Sequence, residues 1–379
     1  MKKIISVFIL SILASTYVYA YDFAIKNSDG VKIFYEIVSG YDVAVASNPM
    51  KYSKNVVIPQ SVTYDEKTYN VTHIDQMAFA YCPNLTSVTI AKSIRFIKRG
   101  AFRDSNGLTK ITIPNSVETI GAHAFFRCNG LKEVIIEDGT KPLRLAGGMF
   151  IDCPIETVYL GRNVTEDPNF KGSIFVGTPI KTPISNVTIG KSVTVIGDYL
   201  FYGCNDLRNV TIPNSVKTIG AQAFRNSGLA EIEIPNSVTK IEALAFAYCN
   251  NLVKITLPNS ISSIEDWTFT RCKNLKTIVI PNSVKSIGEE AFSDCENLTE
   301  VTIPSSIKSI GVKSFRNCYK LSKLTIPSSV SIIGEEAFKN CRSLTGTLTI
   351  SESTKVGEYA FEGCTGLSKL TIWGIQVFP

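Results

Sequence analysis

Ten cysteines and two histidines are the side chains best suited to chemistry here, and their spacing decides what chemistry is open to them. The cysteines are Cys82, Cys128, Cys153, Cys204, Cys249, Cys272, Cys295, Cys318, Cys341 and Cys364, with no two closer than 23 residues. No CxxC pair exists and no histidine accompanies one, as a zinc site would require. Each cysteine follows a phenylalanine by three residues, and where it is missing the slot holds Ser105, Thr178 or Ser227. One repeated slot therefore accepts a small, weakly polar, buried side chain. Stacked neighbours in such a row stand about 5 Å apart and point the same way. A disulfide needs Cβ atoms at roughly 3.8 Å. The spacing predicts a ladder of free thiols bonded weakly to turn backbone groups. His73 and His123 fall in different copies with no matching acid or nucleophile, and His123 takes a variable, solvent-facing position. Phosphate loops, nucleophile elbows and metal clusters are missing from the pattern. These residues argue against an enzyme and call for no cofactor and no metal.

The elements that position them come from one phrase. It runs from Ile287-Gly288 through Ala291-Phe292, Cys295, Leu298 and Val301-Thr302-Ile303-Pro304 to Ile307, and Ile310-Gly311 begins it again. Its anchors are Phe79, Phe102, Phe125, Phe150, Phe175, Phe201, Phe224, Phe246, Phe269, Phe292, Phe315, Phe338 and Phe361, in steps of 22 to 26 residues. Thirteen copies at this period predict a solenoid in which each repeat is one coil stacked on the next. Val-x-Ile reads as a short strand with alternate side chains inward. The following proline ends it, because it cannot donate to a ladder. Asn-Ser makes the corner. Ile-Gly is a second extended piece with glycine at a bend, and Ala-Phe sits on a short helical or 3₁₀ turn. Each buried ring should contribute roughly 1.5–3 kcal/mol.

The chain begins with a pattern of export. Lys2 and Lys3 precede an apolar run from Ile4 to Leu13, and Val18-Tyr19-Ala20 supplies small residues for cleavage after Ala20. Residues 1–20 are read as a signal peptide, and no transmembrane segment is expected in the mature chain. The net charge of +6 falls to +4 when Lys2 and Lys3 leave, with no basic run or basic helix, so nucleic acid is not the expected partner. Residues 21–70 alternate as strands, with Asp29-Gly30 as a turn, and are read as a β-rich cap over the open end of the first coil. The solenoid then occupies residues 71–379, and Trp373 and Phe378 are placed to cover its closing end.

Residues 137–190 break the phrase. The steps lengthen, the Ile-Pro-x-Ser corner is lost at Glu137-Asp138-Gly139 and at Leu160-Gly161-Arg162-Asn163, and extra residues enter near Thr165–Lys171 and Thr178–Pro183. Such insertions project from one face and either carry function or drift at little cost.

The phrase Ile-Gly-x-x-Ala-Phe-x-x-Cys-x-x-Leu-x-x-Val-x-Ile-Pro-x-Ser-Val resembles the BspA-type leucine-rich repeat over about residues 56–372. Ile310 to Val330 is one instance, with Ser314 and Leu324 as its departures. The resemblance implies a leucine-rich-repeat solenoid of about thirteen coils with a parallel β-sheet on its concave face and short helical or 3₁₀ turns on the other side. It also implies an extracellular or cell-surface protein. Some members of that family are described as adhesins for host matrix proteins or other cells.

Specificity must lie in what the phrase leaves free. The middle residue of each first strand points outward: Thr in most copies, but Ile135, Tyr159, Glu233 and Val279 in four. A threonine row is ordinary on a solvated strand face and needs no ligand. The apolar pair Ile135 and Tyr159 sits beside the irregular coils. The candidate binding residues are accordingly Glu133, Ile135, Thr157, Tyr159, Arg162, Asn186, Thr188, Asn209, Thr211, Glu231 and Glu233. The expected partner is an extracellular protein or glycan, from host matrix or another cell. The alternative is a structural or scaffolding envelope protein in which self-association matters more than a ligand.

Overall fold

The structure is a computed structural model and describes residues 21–166, 175, 183–372 and 375–377. Residues 1–20, read above as a signal peptide, the inserted residues at 167–174 and 176–182, Trp373 and Phe378 lie outside the described residues. The coils form a parallel β-solenoid of about 12 turns preceded by a mixed sheet. Two compact units divide the chain, up to residue 182 and from residue 183.

The first unit opens with β1 (Phe23–Lys26), β2 (Lys32–Ser39) and β3 (Asp42–Val45), an antiparallel meander. It continues with β4 (Lys54–Val57), β5 (Ser61–Tyr64) and β6 (Lys67–Ile74). β3 runs parallel to β6, and β6 parallel to β8 (Phe96–Ile97), so the meander joins the ladder of second strands directly. That ladder goes on through β10 (Thr119–Ile120), β12 (Leu143–Leu145) and β14 (Val164–Glu166). The first strands make a separate face. β4 pairs with β7 (Leu85–Thr89), while β9 (Lys110–Ile113), β11 (Glu133–Ile136) and β13 (Thr157–Leu160) pair in register. β12 and β14 keep the irregular coils on the common ladder although their corners are lost.

The second unit repeats both ladders. Glu231–Glu233, Lys254–Thr256, Thr277–Val279 and Glu300–Thr302 pair in parallel on the strand face. Ser263–Ile264, Ser286–Ile287, Ser309–Ile310, Ile332–Ile333 and Lys355–Val356 pair in parallel behind them. At its end Ile375–Val377 lies antiparallel to Leu370–Ile372.

The core is the phenylalanine column. Rings from Phe79 to Phe175 in the first unit, and from Phe201 to Phe361 in the second, stack with centroids 4.9–5.7 Å apart. Tyr52 extends the column beyond its first phenylalanine, its ring 4.6 Å from Phe79. Its hydroxyl donates to Ala46 O at 2.9 Å and accepts from Phe34 N at 3.1 Å, so this buried polar tip is fully paired.

The turns beside each anchor are not helical; among the described residues there is no helix. Two residues of every described coil, those two before and two after the phenylalanine, have φ between +48° and +73°. A left-handed residue at both places stops any helical run. It also turns the amides of alternate residues toward the next coil. Phe79 N donates to Ala101 O at 2.7 Å, flanked by Met77 N to Arg99 O and Tyr81 N to Arg103 O, and later coils repeat this triplet.

The glycine after the second isoleucine is needed for room, not for a bend. A Cβ on Gly311 would lie 2.5 Å from the backbone of Gly288 in the coil before, and Gly311 is not among the positive-φ residues.

A candidate binding face on the strands

The thiol row is built as its spacing predicts. All ten cysteines are free and buried. Cys128 Sγ donates to Phe102 O at 3.0 Å and Cys153 Sγ to Phe125 O at 2.9 Å. Cys249, Cys272, Cys295, Cys318, Cys341 and Cys364 each donate likewise to the anchor carbonyl of the preceding coil. Ser105 makes the same bond to Phe79 O. Burial pushes the Cys204 thiol up to about 12 and the Cys249 thiol up to about 11, well above what a nucleophilic thiolate needs. These cysteines are packing residues.

The histidines are also structural. His73 is half-buried, stacks on Phe96 at 4.8 Å and has Nδ1 2.8 Å from Thr72 Oγ1. Burial, with Lys98 adding to it, holds its pKa below the usual imidazole range. His123 is half-buried rather than solvated. It occupies a left-handed turn position, with its ring 5.4 Å from Phe126 and against Gly148. Among the described residues no group of three or more His, Cys, Asp or Glu could hold a metal ion, and no helix is long and apolar enough to cross a membrane.

The strand face carries the variable side chains. In the first unit Glu133 pairs with Thr157 and Ile135 with Tyr159 on adjacent strands, so four of the candidate residues share one surface. On the other side of β11, Lys110 reaches Glu133 at 2.8 Å, and Thr112 continues the row of Ile135. Tyr159 donates its hydroxyl to Asp138 Oδ2 at 2.8 Å. That hydrogen bond raises the phenol's pKa and fixes the ring's direction. Asp138 comes from the lost corner, so the irregular loop orients a strand-face aromatic.

Arg162 is not on this face. It is 1% exposed, and its guanidinium donates to Pro114 O at 2.9 Å, Asn115 O at 3.1 Å and Lys141 O at 3.4 Å. Burial lowers its pKa, opposed by Glu137. It pins two successive corners from beneath and acts on the face only through them.

The other six candidates belong to the second unit. Asn186, Thr188, Asn209, Thr211, Glu231 and Glu233 are all exposed, with Thr188 bridged to Thr211, Glu231 beside Lys254 and Glu233 beside Thr256. They form a polar, hydrogen-bonding surface. Tyr159's partner Asp138 escaped the sequence reading because the repeat phrase has no counterpart for it. The left-handed turn positions left a trace: none holds Val, Ile, Thr or Pro.

This architecture defines a class: a leucine-rich-repeat type of β-solenoid with an invariant interior and a variable strand face. Residues 54–179, 179–299 and 263–377 match the model of the BspA type leucine-rich repeat region, and the chain belongs to that family. Among solved structures it is similar to a leucine-rich cell surface protein of Faecalibacterium prausnitzii, at 25% identity, TM-score 0.48, covering 93% of this chain and 95% of that one. It is also similar to a leucine-rich repeat protein of Bacteroides ovatus, at 23% identity, TM-score 0.43, covering 92% of this chain and 81% of that one. A third is the pneumococcal vaccine antigen PcpA, at 20% identity, TM-score 0.44, covering 93% of this chain and 99% of that one. No curated protein matches the chain significantly.

Proposed function

We propose that the chain is exported and works as a surface-displayed binding protein, presenting its strand face to an extracellular protein or glycan in adhesion or host contact. Export rests on the charged and apolar segment before Tyr21. The observation that carries the binding role is the pair Ile135 and Tyr159, side by side on an otherwise threonine-rich and charged face, with Tyr159 held by Asp138. An oriented aromatic beside an aliphatic contact, rimmed by hydrogen-bonding groups, is how interface hot spots are built. A rigid face loses little conformational entropy on binding. No catalytic step is assigned to it.

The test is binding of the mature chain to immobilised mucin, matrix proteins and whole cells. Ile135→Ala combined with Tyr159→Ala is expected to weaken capture at least tenfold while thermal unfolding stays near wild type. Unchanged capture would remove this face from the proposal.

A further inference from the structure

Strand β4 begins the strand-face sheet of the first unit and, among the described residues, pairs on one side only, with β7. In a parallel ladder, alternate residues bond to opposite sides. Lys54 N donates to Asn84 O at 2.7 Å and Ile58 N to Thr89 O at 3.0 Å, so the even positions face β7. Asn55 and Val57 turn their N–H and C=O groups the other way. One of these groups already takes a hydrogen bond there: Val57 O accepts from Asn27 Nδ2 at 2.9 Å. Among the described residues, the main chain of Asn55 and the N–H of Val57 have no such partner.

A recess borders this edge. Asp29, Val31 and Lys32 of the β1–β2 turn form one wall; Asn48, Lys51, Tyr52 and Ser53 form the other; Lys54 and Asn55 complete it. Three lysines thus face one aspartate. Lys32 and Lys54 are exposed, and neither makes an ion pair among the described residues, whereas Lys98, Lys110 and Lys132 each hold a carboxylate at 2.8 Å. Lys51 rests deeper, its Nζ 3.4 Å from Ala80 O. Lys51 and Lys54 have φ of 62° and 59°, a backbone conformation that costs a residue with a side chain about 1–2 kcal/mol.

We propose that this edge receives an extended acidic segment of a partner protein as an added strand. Its main chain would pair with Asn55 and with the N–H of Val57, and carboxylates at alternate positions would meet Lys32 and Lys54. A second copy of this chain is the poorer occupant, because two such edges joined about a two-fold axis would set lysines against lysines. The surface is separate from Ile135 and Tyr159, and the inference does not rest on their role.

The probe is an alternating Glu-Val hexapeptide with blocked ends, titrated against the mature chain and followed by backbone amide NMR. Expected results are slowed amide exchange at Asn55 and Val57 and at least a tenfold loss of affinity in Lys32→Glu/Lys54→Glu. An alternating Lys-Val hexapeptide should not bind, and Ile135→Ala/Tyr159→Ala should bind as wild type does. Two results would overturn strand addition: no binding, or equal binding of a hexaglutamate peptide without amide protection. A dimer in sedimentation that Lys54→Glu dissociates would reassign the edge to a second copy.

Discussion

At the scale of single residues, side chains that repeat were readable and backbone conformations were not. Phe and Cys sit in fixed slots because each has one environment, a column or a carbonyl, that every coil reproduces. The left-handed positions hold Met77, His123, Tyr199, Leu244, Trp267 and Lys313 alike, since the slot constrains φ and leaves the outward side chain free. Lys313, at φ 55°, tests this. Lys313→Gly should match or exceed wild type in denaturant midpoint, because relief of left-handed strain offsets the added chain entropy of glycine. Lys313→Val should be the less stable of the two by about 2 kcal/mol. Equal midpoints would show that the slot tolerates any residue. The thiols predict an alkaline limit. Cys249 and Cys204 have pKa values raised by burial to about 11 and about 12, against about 8.5 for an exposed thiol. A raised thiol pKa contributes stability that is complete below the exposed value and is lost as pH rises through the folded one. Urea midpoints should fall between pH 8.5 and 11, and Cys249→Ser, whose hydroxyl does not titrate there, should fall less.

At the scale of the element, strands and corners were legible because two independent signals coincide. Alternation marks the strand, and proline marks its end. The Pro-Asn-Ser-Val corner closes by Val117 N donating to Pro114 O at 3.1 Å, with the same bond at Pro213, Pro235, Pro281, Pro304 and Pro327. Ala-Phe suggested a helical turn because both residues suit one locally. The actual turn is set by hydrogen bonds to the next coil, which no local propensity contains. The candidate face was legible as a set of outward positions, but burial of Arg162 was not, because its partners lie 47 and 48 residues away. The Ile-Gly pair shows a related limit: its glycine marks close coil contact. Gly311→Ala should destabilise by about 1–3 kcal/mol through overpacking against Gly288. Circular dichroism and a chemical melt would read this, and an unchanged melt would mean that the coils part freely. Glu242 and Glu265 occupy the same slot in two other coils, so the slot is not closed to side chains throughout the stack.

At the scale of the whole molecule, each coil touches only its neighbours, so stability is close to a sum of coil and interface terms. Phe292→Ala removes one ring from a column in which it stacks at 5.3 Å on Phe269 and 5.1 Å on Phe315. It should cost about 3–5 kcal/mol. Hydrogen exchange should accelerate mainly in the coils of Phe269, Phe292 and Phe315, and uniform acceleration through residues 183–372 would indicate one cooperative block instead. The turn triplets carry one more consequence. Strands in a sheet nearly cancel their peptide dipoles. The triplet bonds do not, because within each unit every one runs from an earlier coil's amide to a later coil's carbonyl. Peptide dipoles of about 3.5 D each therefore add along the stack instead of cancelling. Within each unit the stack of turns is thereby electrically polar, negative toward the earlier coils and positive toward the later ones. The ammonium of Lys51 on Ala80 O lies at the negative pole of the first unit, where a cation is favoured. The coil axis thus has a built-in field whose sign is set by the direction of the chain.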